Sequence, residues 1–287
     1  MKNLNIRSYC KINLSLKVLQ KLNNGYHNII SLVTFCEPYD LISITKTKNF
    51  KDKIIFFGKF KKGINKKSNT VSKVLDLLRR KKLLQNQKFK IKIKKNIPHG
   101  SGLGGASSNA ADLINFFNKN MKLNLKKNKL IKLASEIGFD TPISLERKNT
   151  LITGKWGEMI RLKKKLKLNL LIVYPNLICS TKKIYIKNRK NNLFKKQPLF
   201  HKKNNKQLID FLINENNDLE KTVVKIYPRI KNIINFIYSQ KGCYLSRITG
   251  SGSACIGIFS NMKNAVYAKK SIKLKYPKYW CTVSKTI

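Results

Sequence analysis

The chain has 287 residues, 42% of them hydrophobic, with 61 Lys plus Arg against 13 Asp plus Glu and a formal net charge of +48. That length and apolar content suffice for a sizeable core, and no stretch approaches the roughly 18 apolar residues of a membrane span. The lysines recur along the whole chain among Asn, Ile and Phe, as in "KNRKNNLFKKQ", so the excess reads as codon bias toward A and T rather than as a nucleic-acid-binding tail; its positive field would still attract polyanionic substrates.

In chain order, residues 4 to 19 alternate around Ile12, Leu14, Leu16 and Val18 and predict a strand. The N-terminus does not read as a secretory signal, since Lys11 and Lys17 interrupt its apolar part. Residues 23 to 27, "NNGYH", predict a turn, and "NIISLVTFC" and "LISITKT" two further strands. Residues 68 to 84 carry Val71, Val74, Leu75, Leu77 and Leu78 on one helical face, with Ser68 or Asn69 as the cap. "FKIKIKK" at 89 to 95 predicts a strand with one wet face. Helices are expected at 106 to 118 and 126 to 137, then a Gly-Phe-Asp-Thr-Pro turn. "LNLLIVYP" begins a second half after a boundary near 150 to 165, and residues 187 to 207 read as a long polar loop. Helical patterns return at 208 to 214 and 229 to 240, followed by the glycine turn of "YLSRITGSGSACIGIF", a helix near 263 to 274 and a last strand. The six cysteines (10, 36, 179, 243, 255 and 281) form no C-x-x-C pair. That speaks against a zinc ribbon or a disulfide framework and for reduced thiols in a cytoplasmic protein.

The chemistry concentrates in "NIPHGSGLGGASSNAADLINFF", residues 96 to 117. Gly100, Gly102 and Gly105 match G-x-G-x-x-G literally, but the preceding strand is half lysine and residues 118 to 127 hold no acid for a ribose. A Walker loop fails because no Gly-Lys-Ser or Gly-Lys-Thr follows, and a protein-kinase loop fails because a helix follows instead of a strand. What remains is a glycine loop at a helix N-terminus, where backbone N–H groups and the helix dipole hold a phosphate. Ser107 and Ser108 are candidate helix caps and candidate hydroxyl ligands for phosphate or Mg²⁺.

"PHGSGLGGASSNAA" resembles the phosphate loop of the galactokinase, homoserine kinase, mevalonate kinase and phosphomevalonate kinase superfamily, and its longer form is similar to the 4-diphosphocytidyl-2-C-methyl-D-erythritol kinase branch. "YCKINLSLKVLQKLNNGYH", "IGFDTPISL" and "NDLEKTVVKIYPRIKNI" with "SRITGSGSACIGIF" resemble three more segments of that branch, in the same order, over residues 9 to about 260. Ser101 and Ala106 depart from glycine, and Thr141 from Val or Ile.

The resemblance implies an α+β, two-domain small-molecule kinase fold. Residues 1–155 would form a ribosomal-protein-like ATP-binding and catalytic domain. Residues 156–287 would form a ferredoxin-like substrate-binding domain, with the active site in the cleft between; a return of the last strand to the first domain is an alternative. It implies Asp140 as the base and Lys11 as the orienting charge in direct transfer from ATP with Mg²⁺ to the substrate's 2-hydroxyl, a transferase step of non-mevalonate isoprenoid (terpenoid) synthesis. Judged without it, Asp140 reads as a turn-forming residue. ATP would lie on Pro98, His99, Gly100, Ser101, Gly102, Leu103, Gly104, Gly105, Ala106, Ser107 and Ser108, with Asn69 near the adenosine. The cytidine diphosphate alcohol would meet Tyr26, His27 and Tyr185 around its base and Asn13, Ser180 and Thr181 elsewhere. Thr249, Gly250, Ser251 and Gly252 either close over it or form a tight hairpin. No nucleic-acid or membrane partner is expected, and the chain would act as monomer or homodimer. A homoserine or mevalonate-type sibling, an inactive descendant and a basic RNA-binding protein are the alternatives. The Gly-Tyr-His turn speaks against a sibling, and the pairing of the phosphate loop with the Gly-x-Asp-x-Pro turn speaks against RNA binding.

Overall fold

The computed structural model describes residues 4–22, 27–65, 67–153, 158–163, 165–188 and 205–287. Tyr26 and most of the predicted loop at 187–207 lie outside them. The elements, in chain order, begin with strands β1 (Leu4–Asn13), β2 (Lys17–Lys21), β3 (His27–Thr47) and β4 (Lys53–Phe57). Helix α1 (Thr70–Arg80), β5 (Lys88–Lys94), α2 (Gly105–Asn120), α3 (Lys127–Ile137) and a 3₁₀ turn (Pro142–Leu145) follow. Then come β6 (Thr150–Thr153), β7 (Met159–Arg161), β8 (Asn169–Tyr174), α4 (Thr181–Lys187), α5 (Asn205–Asn214), α6 (Glu220–Ile226) and α7 (Arg229–Tyr238). The chain closes with β9 (Cys243–Ile248), β10 (Cys255–Phe259), α8 (Met262–Lys275) and β11 (Trp280–Lys285).

The described residues form a mixed α+β fold that divides into two compact units. The first contains residues 1–11, 38–99 and 104–147; the second contains residues 12–37, 100–103 and 148–287. The division therefore passes through β1, through β3 and through the glycine loop.

In the first unit β5 runs parallel to β4 and antiparallel to the distal half of β3, Ile91 lying opposite both Ile54 and Ile44. Alternation puts Phe89, Ile91 and Ile93 inward and leaves Lys90, Lys92 and Lys94 wet. The inner face meets Val74, Leu75 and Leu78 of α1 and Leu113, Ile114 and Phe117 of α2 in one core. Asn69 caps α1: its side chain accepts from Val71 and Ser72, while the Ser72 hydroxyl accepts from the Asn69 N–H. That capping box fixes where α1 begins.

In the second unit β8 is central, buried at Leu170 to Tyr174, with antiparallel neighbours β11 and β10, and β9 beyond β10. Buried Ile230, Ile233 and Ile237 of α7 and Ala265, Ala268 and Ile272 of α8 share a core with Leu171 and Val173. The last strand pairs with β8 over its whole length, Trp280 opposite Tyr174 and Lys285 opposite Asn169. The proximal part of β3 pairs with β6, Ile30 opposite Thr153.

Three expectations change, and the first is that the single strand predicted over residues 4 to 19 is two, β1 and β2. The separate strands predicted on either side of Pro38 are one strand, β3, which pairs with β6 before the proline and with β5 after it. Proline brings no N–H to satisfy and its φ suits extended backbone, so it does not stop the strand. Ser107 and Ser108 do not cap α2. The helix begins at Gly105, with Gly104 as a left-handed N-cap that makes no side-chain bond. The Ser108 N–H already bonds the Gly104 carbonyl, and its hydroxyl lies 3.3 Å from that of Ser144.

Asn69→Ala should lower stability by about 1 kcal/mol, read as a fall of roughly 2–4 °C in Tm. At Gly102 φ is +81°, and a Cβ would sit 2.2 Å from the Thr249 carbonyl oxygen. Gly102→Ala should therefore cost at least about 3 kcal/mol, a fall of roughly 6 °C or more; a wild-type melting curve would show that the two loops do not interlock.

Candidate active site

Lys11 lies in β1 with its side chain only 2% exposed, the largest of the fully buried side chains. Burying an ammonium costs free energy unless a counter-charge meets it. Asp140 does so: its Oδ2 is 3.3 Å from Lys11 Nζ, while its own side chain remains 40% exposed. One member of the pair is thus fixed in the core and the other reaches solvent.

The chain around Asp140 is held on both sides. Helix α3 ends as the Gly138 N–H bonds the Ala134 carbonyl. The Thr141 N–H then bonds the Gly138 carbonyl at 3.1 Å, and Pro142 starts the 3₁₀ turn. Gly138 has an extended φ of 175° and needs no glycine-specific conformation there. Buried Thr141 fills the position behind Asp140.

The glycine loop meets this pair at Gly104, where φ is +66° and a Cβ would approach Lys11 Cβ to 2.9 Å and Cε to 3.0 Å. The missing side chain lets the lysine stem pass directly under the start of α2, whose first N–H groups carry the positive end of the helix dipole. Thr70 of α1 donates to the Ala106 carbonyl at 3.1 Å, which brings the Asn69 cap beside the same turn. His99 is engaged elsewhere, its Nε2 lying 3.0 Å from the Lys62 carbonyl. Ser101 and Ala106 are not among the residues of positive φ; outside glycine, those described are Lys82, Gln85, Lys122, Asn124 and Asn176. Replacing glycine at 101 and 106 therefore creates no backbone strain.

Residues 100–103 belong to the second unit. The Gly100 carbonyl accepts from Cys179 at 3.1 Å and the Ser101 carbonyl from Ala254 at 2.9 Å. The turn from Thr249 to Ala254 closes on itself, Thr249 N–H to Ala254 and Gly252 N–H to Thr249, so it is a tight hairpin. It also carries side chains predicted for the substrate. Buried Asn13 donates its N–H to the Thr249 hydroxyl at 2.9 Å and its amide to Ser31 at 2.7 Å. Thr181 and Ser251 share a 2.8 Å hydroxyl pair beside Ser180, the N-cap of α4. His27 and Tyr185 come together with ring centroids 5.4 Å apart and planes 35° from parallel. Burial, then the neighbouring Lys21 charge, hold His27 below the usual histidine value, so its ring is neutral near pH 7.

Sequence reasoning missed two buried groups that hold these loops. Asp40, in β3, takes the Lys95 ammonium and accepts from the N–H groups of Asn96 and Ile97 and from Asn109. In the sequence it is one of two carboxylates in a mixed strand, with Glu37, and nothing local singles it out. Asn217 donates to the carbonyls of Ile248 and Gly250, and Glu220 accepts from the Ile248 N–H, which fixes the hairpin from behind. Burial pushes the Cys179 and Cys281 thiols up to about 11. Among the described residues no cluster of three or more His, Cys, Asp or Glu side chains is arranged to hold a metal, and no helix is long and apolar enough to cross a membrane.

The family of GHMP kinases N terminal domains matches residues 69–147, which carry α1, the start of α2 and Asp140, and the GHMP kinases C terminal family matches residues 198–277. The 4-diphosphocytidyl-2-C-methyl-D-erythritol kinase of Pelagibacter ubique is 38% identical over 291 residues, covering 100% of both chains. A crystal structure of 4-(cytidine 5'-diphospho)-2C-methyl-D-erythritol kinase superposes with a TM-score of 0.75 at 20% identity, covering 98% of this chain and 99% of that one. Homoserine kinase from Cytophaga hutchinsonii superposes almost as well, with a TM-score of 0.74 at 14% identity over 100% of this chain and 95% of that one. The fold alone therefore does not choose between acceptors. The chain is an ATP-dependent small-molecule kinase and belongs to the 4-diphosphocytidyl-2-C-methyl-D-erythritol kinase family.

Proposed function

We propose that this chain transfers the γ-phosphoryl group of ATP to the 2-hydroxyl of 4-diphosphocytidyl-2-C-methyl-D-erythritol in non-mevalonate isoprenoid precursor synthesis. The observation that carries the mechanism is the ion pair of buried Lys11 with half-exposed Asp140 beside Gly104. Asp140 accepts the hydroxyl proton as the oxygen attacks phosphorus, and the bond from the γ-phosphorus to the bridging oxygen breaks to release ADP. Lys11 holds the carboxylate in place and offsets the negative charge that gathers around the transferred group. Backbone N–H groups of the 98–108 loop and the N-terminus of α2 take the phosphates, with Asn69 near the nucleoside.

Mg²⁺, when bound, would offset part of the charge on the phosphates. Ser107, half-buried in the first turn of α2, is the protein hydroxyl suited to it; Ser108 is buried and already shared with Ser144. We assign ATP binding and catalysis to residues 1–155 and most substrate contacts to residues 156–287. His27, neutral and set against Tyr185, suits an uncharged pyrimidine edge and face, with Tyr26 beside it in sequence. Asn13, Ser180, Thr181 and the hairpin from Thr249 to Gly252 suit the polar remainder. We further assign the enzyme to the cytoplasm, without a nucleic-acid partner.

Purified protein should release ADP only when the cytidyl alcohol is present, and not with homoserine or mevalonate. Asp140→Asn should lower kcat by about 10²- to 10⁴-fold while changing KM for either substrate far less. Full activity in that variant would remove Asp140 as the base. ADP release with a sibling acceptor instead of the cytidyl alcohol would remove the substrate assignment.

A further inference from the structure

We propose that Asp40 is a positioning residue for the phosphate loop, its buried carboxylate pinning both ends of the glycine segment and thereby setting the affinity for ATP. Asp40 is completely buried in β3. Its Oδ1 accepts the N–H groups of Asn96 at 2.8 Å and Ile97 at 2.9 Å, the two residues before Pro98. Its Oδ2 accepts from the Asn109 side chain at 3.1 Å, within the opening turns of α2, and takes the Lys95 ammonium. A Cβ on Gly105 would lie 3.5 Å from the same oxygen. One side chain thus anchors the chain just before residue 98 and just after residue 108, and everything proposed to touch phosphate lies between.

Only a carboxylate meets these demands together. It offers two acceptor-only oxygens to four donors, and an amide in its place would aim an NH₂ group at Lys95 and Asn109. Held at both ends, the loop loses little conformational freedom when the nucleotide binds, which is how a preformed site gains affinity. The charge is managed as well. A lone carboxylate behind the helix N-terminus would repel a triphosphate, and the Lys95 ammonium offsets it in place.

The proposal rests on ATP occupying the 98–108 loop, and its test separates the two. The full-length protein, Asp40→Asn and the charge-free double variant Asp40→Leu/Lys95→Met are titrated calorimetrically with a non-hydrolysable ATP analogue and Mg²⁺. KM for ATP, KM for the cytidyl alcohol and Tm are measured in parallel. Positioning predicts that Asp40→Asn weakens the analogue about tenfold or more, with the alcohol KM changed by less than about twofold. The double variant, which leaves no unpaired charge, should lose at least as much. Asp40→Glu, which keeps both oxygens, should recover part of the affinity. A purely electrostatic role predicts the opposite sign, since removing a negative charge near the triphosphate tightens binding. Asp40→Asn or the double variant melting near the wild type and binding the analogue as well or better overturns the proposal. Should the double variant not fold, the two single variants decide. A wild type that does not bind the analogue removes the loop reading itself and this proposal with it.

Discussion

The buried ammonium of Lys11 is the constraint around which the first unit is organised. A charged group that is 2% exposed is tolerated only where a partner charge is fixed beside it, so the strand carrying Lys11 and the turn carrying Asp140 must be formed together. The lysine stem also needs room, and it takes that room from Gly104, where a side chain would collide with it. Strand, turn and glycine loop are therefore mutually dependent, although they come from sequence positions far apart. The consequence is chemical as well as structural. In the proposed mechanism, the carboxylate held by the buried Lys11 is oriented before any substrate arrives, and a preoriented base needs no reorganisation during proton transfer.

The same logic explains which glycines matter. Gly100, Gly102 and Gly104 all have positive φ, and at the last two a side chain would meet something fixed: the Thr249 carbonyl or the Lys11 stem. Ser101 and Ala106 occupy ordinary backbone between and after them. Their departures from the family pattern fall where glycine is dispensable. A glycine count overstates how special such a loop is; the alternation of left-handed and ordinary residues describes it better.

Much of this was legible before the structure. The alternation of "FKIKIK" and the helical spacing of Val71, Val74, Leu75 and Leu78 predict β5 and α1 because each buries a single face with a single period. The glycine loop, Lys11 and Asp140 were legible through resemblance; composition and spacing would have left Lys11 as one cation among 61 Lys plus Arg. Other features were hidden for physical reasons. Helices α4 and α6 are only seven residues each, too short for periodicity to show. Strand β3 looked like two because a proline marks a break in most sequences, yet costs nothing here. Asp40 and Asn217 act through partners distant in sequence, 69 positions away for Asn109 and 33 for Gly250, and no local pattern encodes such a bond.

The charge imbalance, seen with the structure, sharpens the meaning of the acids that remain. Of 13 carboxylates, three sit fully buried or nearly so as hydrogen-bond hubs or ion-pair partners: Asp40, Asp112 and Asp218. Glu220 holds the Ile248 N–H at 2.9 Å, Asp52 joins Arg79 to the Phe89 N–H, and Glu37 accepts from Lys285. Drift toward lysine codons would thin acids evenly if they were all equally replaceable. A buried carboxylate serving backbone N–H groups is not replaceable at low cost, because its loss leaves those donors unsatisfied in a dry interior. Exposed acids, screened and solvated, contribute little and can be lost. Asp140 differs from these buried carboxylates in that its own half-exposed side chain meets a fully buried ammonium, that of Lys11. The ion pair accounts for its position, and the proton transfer we propose would account for its exposure.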